Sequence, residues 1–316
     1  MAVYTPVSAD ALAVFLTGYG LPPADRFEGI AGGIENTNYR VWTGGRRLIL
    51  TLYEGRTALG DLPYFLGLMA HVAEAGASAA APLRDVSGRT LGRLSGKPAA
   101  LVVHLDGADV PAPAPRHARA AGEALARFHA ASAAYGGVRP NDHGPAAWAR
   151  GAAKLDLDRV APGTAAAVRA RIATFGPAWE GVPTGTIHAD LFPDNVLFEG
   201  DEVSGIIDLY FACTDALAYD LAVAIAAWTP ETTGTPDPAN ARALRAGYEA
   251  VRPLDGAEAA SLPRMIEGAA WRFFLTRAED WLAPRKSVQG RTKDPLPFLA
   301  LARHTGGNPG HLTEKP

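Results

Sequence analysis

Residues 188–208 read HADLFPDNVLFEGDEVSGIID, and this stretch constrains the chain more than any other. Two short apolar runs, Val196-Leu197-Phe198 and Val203-Ser204-Gly205-Ile206-Ile207, flank Glu199-Gly200-Asp201-Glu202, a composition suited to a tight hairpin turn. Closing that hairpin brings Asn195, just before the first run, alongside Asp208, just after the second. Asp190 stands five residues before Asn195 and two after His188. Leu191, Phe192 and Pro193 are expected to hold the intervening loop against a core. The stretch therefore predicts one amide and two carboxylates carried on a loop and a hairpin.

That set suits one chemistry. Magnesium takes hard oxygen ligands, usually only one or two from protein, with phosphates and water supplying the rest. Asn195 offers an amide oxygen and Asp208 a carboxylate, so these two are the predicted metal ligands. Asp190 is the predicted catalytic residue, placed to accept or orient the proton of an attacking hydroxyl. Together they point to magnesium-assisted phosphoryl transfer from a nucleotide to a hydroxyl group. His188 is expected to support the loop by hydrogen bonding rather than enter the chemistry. An isolated HxD is common in surface turns, and an Asp after a strand commonly caps a helix. The joint pattern, HxDxxxxN followed by a hairpin and IID, is far rarer. A zinc site does not fit, because His188 lacks a second His or a Cys at ligand spacing. A calcium loop fails as well, because Phe192 stands where that loop needs Asp or Asn.

A chain of 316 residues can form one domain of two lobes. Lys and Arg number 30 against 33 Asp and Glu, a net charge of −3, and no basic block suggests nucleic acid or a membrane as partner. The expected partner is a small molecule. Cys213 is the single cysteine, so no internal disulfide can form; it is expected to be a buried thiol in a reducing cytoplasm. The start, MAVYTPVSAD, lacks the basic residues and apolar run of a signal peptide, and no later run resembles a membrane span.

Along the chain, Ser8 is the expected N-cap of a helix over 9–19, with Val7 and Leu12 spaced for a hydrophobic staple. Strands are expected over 27–30, 39–42 and 47–53, the last two joined at Gly44-Gly45. Between the first two lies AGGIENTN. Gly32 and Gly33 there can let backbone N–H groups approach phosphates, and Asn36 and Asn38 either donate to phosphates or shape the turn. Asp61 is the expected cap of a helix to about residue 75, with Leu62, Phe65, Leu66, Met69 and Val72 on its buried face. Two further strands are expected near 84–86 and over 98–105. Residues 104–107 then form a hinge, 108–116 a linker, and helices follow over 116–131, 145–160 and 163–178. After the hairpin, an apolar helix is expected from Asp215 to about Trp228, and others over 238–250 and 257–282. The segment after about residue 303 is expected to be a disordered tail.

HADLFPDN followed by IID resembles the catalytic and metal loops of the aminoglycoside phosphotransferase family, relatives of protein kinases. Protein kinases carry HRDxxxxN and DFG at these places. Here Ala189 stands at the Arg of HRD, and Leu209-Tyr210 follow Asp208, as suits the small-molecule branch. Several further stretches resemble the bacterial homoserine kinase branch of that family: MAVYTPVS, GIAGGIENTNY, LILTLYE, DLPYFLGLM, GKPAALV and GIIDLYFACTDALAYDLA.

The resemblance implies a two-lobed, protein-kinase-like α+β fold. Its N-lobe, a small antiparallel β-sheet over 1–107, binds the nucleotide. Its C-lobe, mainly helical over 108–303, is catalytic, and 304–316 is the tail. It also implies ATP and Mg2+ as cofactors and L-homoserine as substrate, phosphorylated on its side-chain hydroxyl in threonine synthesis. Asp220 would brace the catalytic loop as structural support, and Asp215 would either bind substrate or cap a helix. Glu74 stands on the helix that pairs a Glu with a strand Lys in kinases, or else on a solvated face. Thr51 occupies the place of that Lys, leaving Arg47, Arg56 and Lys97 as substitutes. Homoserine is a zwitterion, so Arg272 and Arg277 are available for its carboxylate, with structural salt bridges as their default role. Two alternatives stand beside this reading. One is a phosphotransferase for another hydroxylated substrate, such as an aminoglycoside, choline or a thio-sugar. The other is a catalytically weak nucleotide-binding regulator.

Overall fold

The structure is a computed structural model that describes residues 4–30, 36–55, 57–176, 179–228, 237–283, 293–307 and 312. The chain divides into two compact units, one spanning Met1–Asp106 and the other beginning at Gly107.

The first unit opens with α1 (Ala9–Thr17). Ser8 is extended and its hydroxyl accepts from the Ala11 N–H, which satisfies one of the helix's orphan donors. The helix ends before Tyr19. Five antiparallel strands follow: β1 (Arg26–Gly29), β2 (Thr37–Thr43), β3 (Arg46–Leu52), β4 (Gly92–Leu94) and β5 (Lys97–Val103), in the order β1-β2-β3-β5-β4. Gly44 and Gly45 join β2 to β3 with φ of 53° and 75°. Two successive positive φ values give the turn whose twist matches the strands it connects, and glycine adopts them without steric cost. Tyr39, Val41, Leu48, Leu50 and Leu101 from the sheet bury against Leu12 and Leu16 of α1, with Val7 packed on the same cluster. Each fully buried leucine there contributes roughly 1.5–3 kcal/mol.

Between β3 and β4 lies α2 (Leu62–Glu74), which buries Leu62, Phe65, Leu66, Met69 and Val72 at the spacing the sequence shows. Asp61 precedes it without making a capping bond, and Glu74 is exposed at its last position, which favours the solvated reading. The strand expected near 84–86 does not form. The Asp85 carboxylate accepts from the N–H groups of Ser87 and Arg89, and this local turn competes with strand pairing. Pairing with β5 is taken up instead by β4.

The second unit is mainly helical. Its elements are α3 (Pro115–Ser132), α4 (Pro145–Lys154), α5 (Ala165–Ile172), β6 (Thr184–Ile187), β7 (Val196–Glu199), β8 (Glu202–Ile206), β9 (Cys213–Ala216), α6 (Leu217–Ala227), α7 (Pro238–Val251), α8 (Gly256–Leu282) and α9 (Leu296–Gly307). The strands form two antiparallel pairs, β6 with β9 and β7 with β8. α3 and α7 cross backbone to backbone. A Cβ on Gly122 would lie 2.0 Å from the Leu244 carbonyl oxygen, and one on Gly247 would lie 2.0 Å from that of Arg119. α8 starts on a capping box between Asp255 and Glu258.

Several boundaries differ from expectation. The helix expected over 145–160 stops at Lys154, and the one over 163–178 stops at Ile172. α6 begins at Leu217, because Asp215 and Ala216 are held in β9 by pairing with Gly185 and Thr184. The expected tail is helical as far as Gly307: α9 buries Leu301, Ala302 and Thr305, so apolar packing carries order past residue 303. Leu312 is buried as well.

Candidate active site

The loop from His188 to Asn195 is built around two buried carboxylate bonds. Asp220, on α6 and fully buried, accepts from the backbone N–H groups of His188 and Ala189 at 2.7 Å each. It also faces His129 Nε2 at 2.9 Å, and His129 Nδ1 faces the Tyr248 hydroxyl at 2.8 Å. Burial pushes the Asp220 carboxyl up, but the bonds from His129 and the backbone outweigh it and hold the carboxyl below the ordinary aspartate value. The close α3–α7 crossing at Gly122 and Gly247 is what lets His129 and Tyr248 meet beneath the loop.

Those two N–H bonds hold Ala189 in the left-handed region, with φ at 63°. A non-glycine residue there is uncommon and is kept only where neighbours over-determine it. His188 adds to the hold. Its Nδ1 accepts from the Asp190 N–H at 3.2 Å, and its Nε2 donates to the Ile207 carbonyl at 3.0 Å. One nitrogen accepting and the other donating defines a neutral imidazole, and burial pushes its pKa down. The Trp228 indole donates to the Leu191 carbonyl at 3.0 Å, and Phe192 packs edge-on against Phe273 at 4.8 Å.

Asp190 thus leaves the loop with its side chain 18% exposed. Asn195 is tied to it: the amide Nδ2 donates to the Asp190 carbonyl at 2.8 Å. This leaves the amide oxygen of Asn195 as its ligand-capable atom. Across the hairpin, Val196 pairs with Ile206 and the Ile207 N–H donates to the Asn195 carbonyl at 3.0 Å. Asp208 comes directly after, with φ at 64°. The hairpin therefore places Asn195 and Asp208 at the same end, with Asp190 bonded to the former. Among the described residues no group of three or more His, Cys, Asp and Glu could hold a metal. An amide oxygen and one carboxylate, completed by phosphate oxygens, is the donor set a hard divalent cation takes at a nucleotide.

Asp215 lies on β9 and does not cap α6; the N-cap is Ala216. One oxygen of Asp215 accepts from Asn141 Nδ2 and the other from the Ala216 N–H, each at 2.7 Å. Burial raises its carboxyl above the ordinary value, partly offset by those two donors. The Cys213 thiol is buried and pushed up to about 12 by desolvation, so it is an inert core group.

In the first unit, Thr51 is buried on β3 and its hydroxyl donates to Asn38 Oδ1 at 2.8 Å, directly across the strands. Asn36 is buried, and its Oδ1 accepts from the Glu54 N–H at 3.4 Å. Both amides therefore bond to the protein itself, which favours their turn-shaping reading. Of the candidate cations, Lys97 pairs with Glu54 at 3.0 Å and Arg47 bonds to Asp106 at 2.8 Å. Gly32, Gly33 and Arg56 lie outside the described residues.

Sequence reasoning passed over the partners that come from afar. His129 lies within the helix expected over 116–131, and Arg272 carries only a salt-bridge expectation. Each is a polar residue inside an apolar helical face, which is the signal that singles it out.

Comparison with known proteins agrees with this geometry. Residues 26–254 match the model of the phosphotransferase enzyme family, APH. The chain is 49% identical to a homoserine kinase of Methylobacterium sp. (strain 4-46), over 97% of this chain and 98% of that protein. It is 48% identical to a homoserine kinase of Xanthobacter autotrophicus, over 96% and 95% respectively. Among solved structures it is similar to spectinomycin phosphotransferase APH(9)-Ia, in complex with ADP and spectinomycin. That match has a TM-score of 0.70 at 15% identity and covers 97% of this chain and 100% of the other. It identifies the fold as the protein-kinase-like α+β architecture, with an antiparallel sheet unit and a mainly helical unit. No helix among the described residues is long and apolar enough to cross a membrane.

Proposed function

The chain belongs to the phosphotransferase enzyme family, and we propose that within it the protein is a homoserine kinase, moving the γ-phosphate of ATP to the side-chain hydroxyl of L-homoserine. The observation that carries this reading is near-half identity to homoserine kinases over almost the whole of both chains. A match of that length spans the Asp190 loop, the hairpin and the helices that hold them. The product feeds threonine synthesis, and the single cysteine suits an enzyme of the reducing cytoplasm.

Asp190 is the residue assigned to the hydroxyl. Its backbone is fixed through His188 and Asn195, and its carboxylate is the exposed end of that assembly. It orients the hydroxyl and takes up its proton as the new oxygen–phosphorus bond forms and the bond from the γ-phosphorus to the bridging oxygen breaks, with ADP as the leaving group. Asn195 and Asp208 fit a Mg2+ ion: one keeps its amide nitrogen occupied with the Asp190 carbonyl, and the other carries a carboxylate at the same end of the hairpin. A divalent ion held by these two residues would supply neutralisation of the negative charge that develops on the transferred phosphate. Asp220 and His188 hold the loop and touch no reacting atom. Asp215, half-buried and already holding two donors, is assigned to the substrate side, where a carboxylate would face an ammonium.

The test is a coupled ADP-release assay with magnesium and ATP, in which homoserine runs beside serine, threonine, choline and kanamycin. Turnover confined to homoserine is the expected result. Turnover with another substrate alone would keep the phosphotransfer chemistry and overturn the substrate assignment. ATP binding with no turnover of any would leave the regulator reading standing.

A further inference from the structure

Ala189 removes from the loop the arginine that a related loop carries beside its Asp. The structure brings another one there. Arg272, in the middle of α8, is 2% exposed, and its Nη1 donates to the carbonyl oxygen of Ala189. Its Nη2 stands 3.6 Å from Asp190 Oδ1, within ion-pair range and beyond a direct hydrogen bond. The guanidinium lies 5.0 Å from the Phe273 ring centroid and 5.7 Å from that of Phe211, which belongs to the turn directly after Asp208. Its Nε makes no hydrogen bond among the described residues.

This placement is costly for a purely structural residue. A buried guanidinium cannot shed its proton, and its unbonded Nε N–H does not recover the hydration it loses. An apolar side chain like its neighbours Trp271, Phe273 and Phe274 would fill the same space without that loss. What Arg272 does there is specific. It donates to the carbonyl of the left-handed residue before Asp190, whose N–H, like that of His188, donates to Asp220. Its second nitrogen faces the carboxylate itself.

We propose that Arg272 is a positioning residue for Asp190: from α8 it fixes the loop backbone through the Ala189 carbonyl and the carboxylate rotamer through Nη2. The inference rests on the assignment of Asp190 to the reacting hydroxyl. A group that acts through Asp190 affects the chemical step and leaves ground-state binding of either substrate alone.

The experiment is a double-mutant cycle read as kcat and KM. Wild-type turnover of homoserine and its loss in Asp190→Asn are measured first, so that failure of the functional reading is seen before any Arg272 variant is made. Arg272→Met is then expected to lower kcat on the order of 100-fold, the scale of a misplaced catalytic group, with both KM values within about twofold. Arg272→Lys, which keeps the charge and loses the planar fork, is expected to fall between Arg272→Met and wild type. In the Asp190→Asn background, measured by single-turnover transfer of radiolabelled phosphate, Arg272→Met is expected to add no further loss.

Three outcomes would overturn the proposal. An equal loss in both backgrounds would mean that Arg272 acts independently of Asp190. A rise in the KM for homoserine with kcat unchanged would make Arg272 a substrate-carboxylate ligand instead. Lower thermal stability in both the Met and Lys variants, with unchanged turnover per folded molecule, would make its role structural only.

Discussion

The Asp190 loop and the β2–β3 strand pair face the same requirement, a set of polar groups kept in fixed places, and they meet it in opposite ways. On the strands the partners are local. Thr51 and Asn38 are directly opposed across the ladder, and Glu54 and Lys97 form a partly exposed pair near by. Around the loop the partners come from far along the chain. Asp220 on α6 and Arg272 on α8 bond residues 188 and 189 directly, and His129 on α3 and Tyr248 on α7 stand in line behind Asp220. Local pairing makes the strand site cheap to alter. Convergence makes the loop's geometry depend on how four helices pack.

The largest effect is expected at the tip of the loop itself. Asp190→Asn keeps the shape and removes the basic carboxylate, so kcat should fall by about 10²–10⁴-fold while the melting temperature stays near wild type. A variant that keeps most of its kcat would remove the assignment of Asp190. One layer down, Asp220→Ala leaves two buried N–H groups and His129 without their acceptor. Breaking such a buried cluster costs about 3–5 kcal/mol, to be read from urea denaturation, and kcat should fall with it as the loop loses its form. On the strand side, Lys97→Met should cost less than about 1 kcal/mol, because the pair it breaks is partly exposed. If the KM for ATP nonetheless rose steeply, Lys97 would be leaving Glu54 for the nucleotide, and the contrast between the two regions would narrow.

Two further experiments address the convergence directly. Gly122→Ala places a methyl group 2.0 Å from the Leu244 carbonyl, so α3 and α7 must move apart. The expected loss is about 1–3 kcal/mol, with a drop in kcat transmitted through His129. The pH dependence of stability isolates His188. Its folded pKa lies below the unfolded value, so the native state binds fewer protons in between. Its contribution is therefore full above about pH 6.5 and declines as pH falls below that value towards the folded pKa. His188→Gln should flatten the slope of unfolding free energy against pH in that window; an unchanged slope would mean that another group carries it.

What could be read from sequence follows the same division. The hairpin was legible because two apolar runs and a Gly-containing turn fix its register within eleven residues, and the β2–β3 turn because Gly44-Gly45 sits between alternating strands. The buried face of α2 was legible from spacing alone. Asp85 was not, because its carboxylate uses the N–H groups a strand would have used, and side-chain competition of that kind leaves no periodic trace. Asp215 read as a helix start because an acidic residue before an apolar helix suits a cap, whereas pairing with Gly185 decided its place. Arg272 is 83 residues from the carbonyl it holds; its place inside an apolar helical face marks it out, but nothing local names its partner.

The left-handed Ala189 has one more consequence. Its amide and that of His188 end on a carboxylate with no exposure to solvent, so hydrogen exchange at both should require opening of the surrounding helices rather than a local flutter. The loop then shares its clock with the global unfolding of its unit. A segment that opens only together with its helices offers no separate disordered state of its own on which a regulator could act.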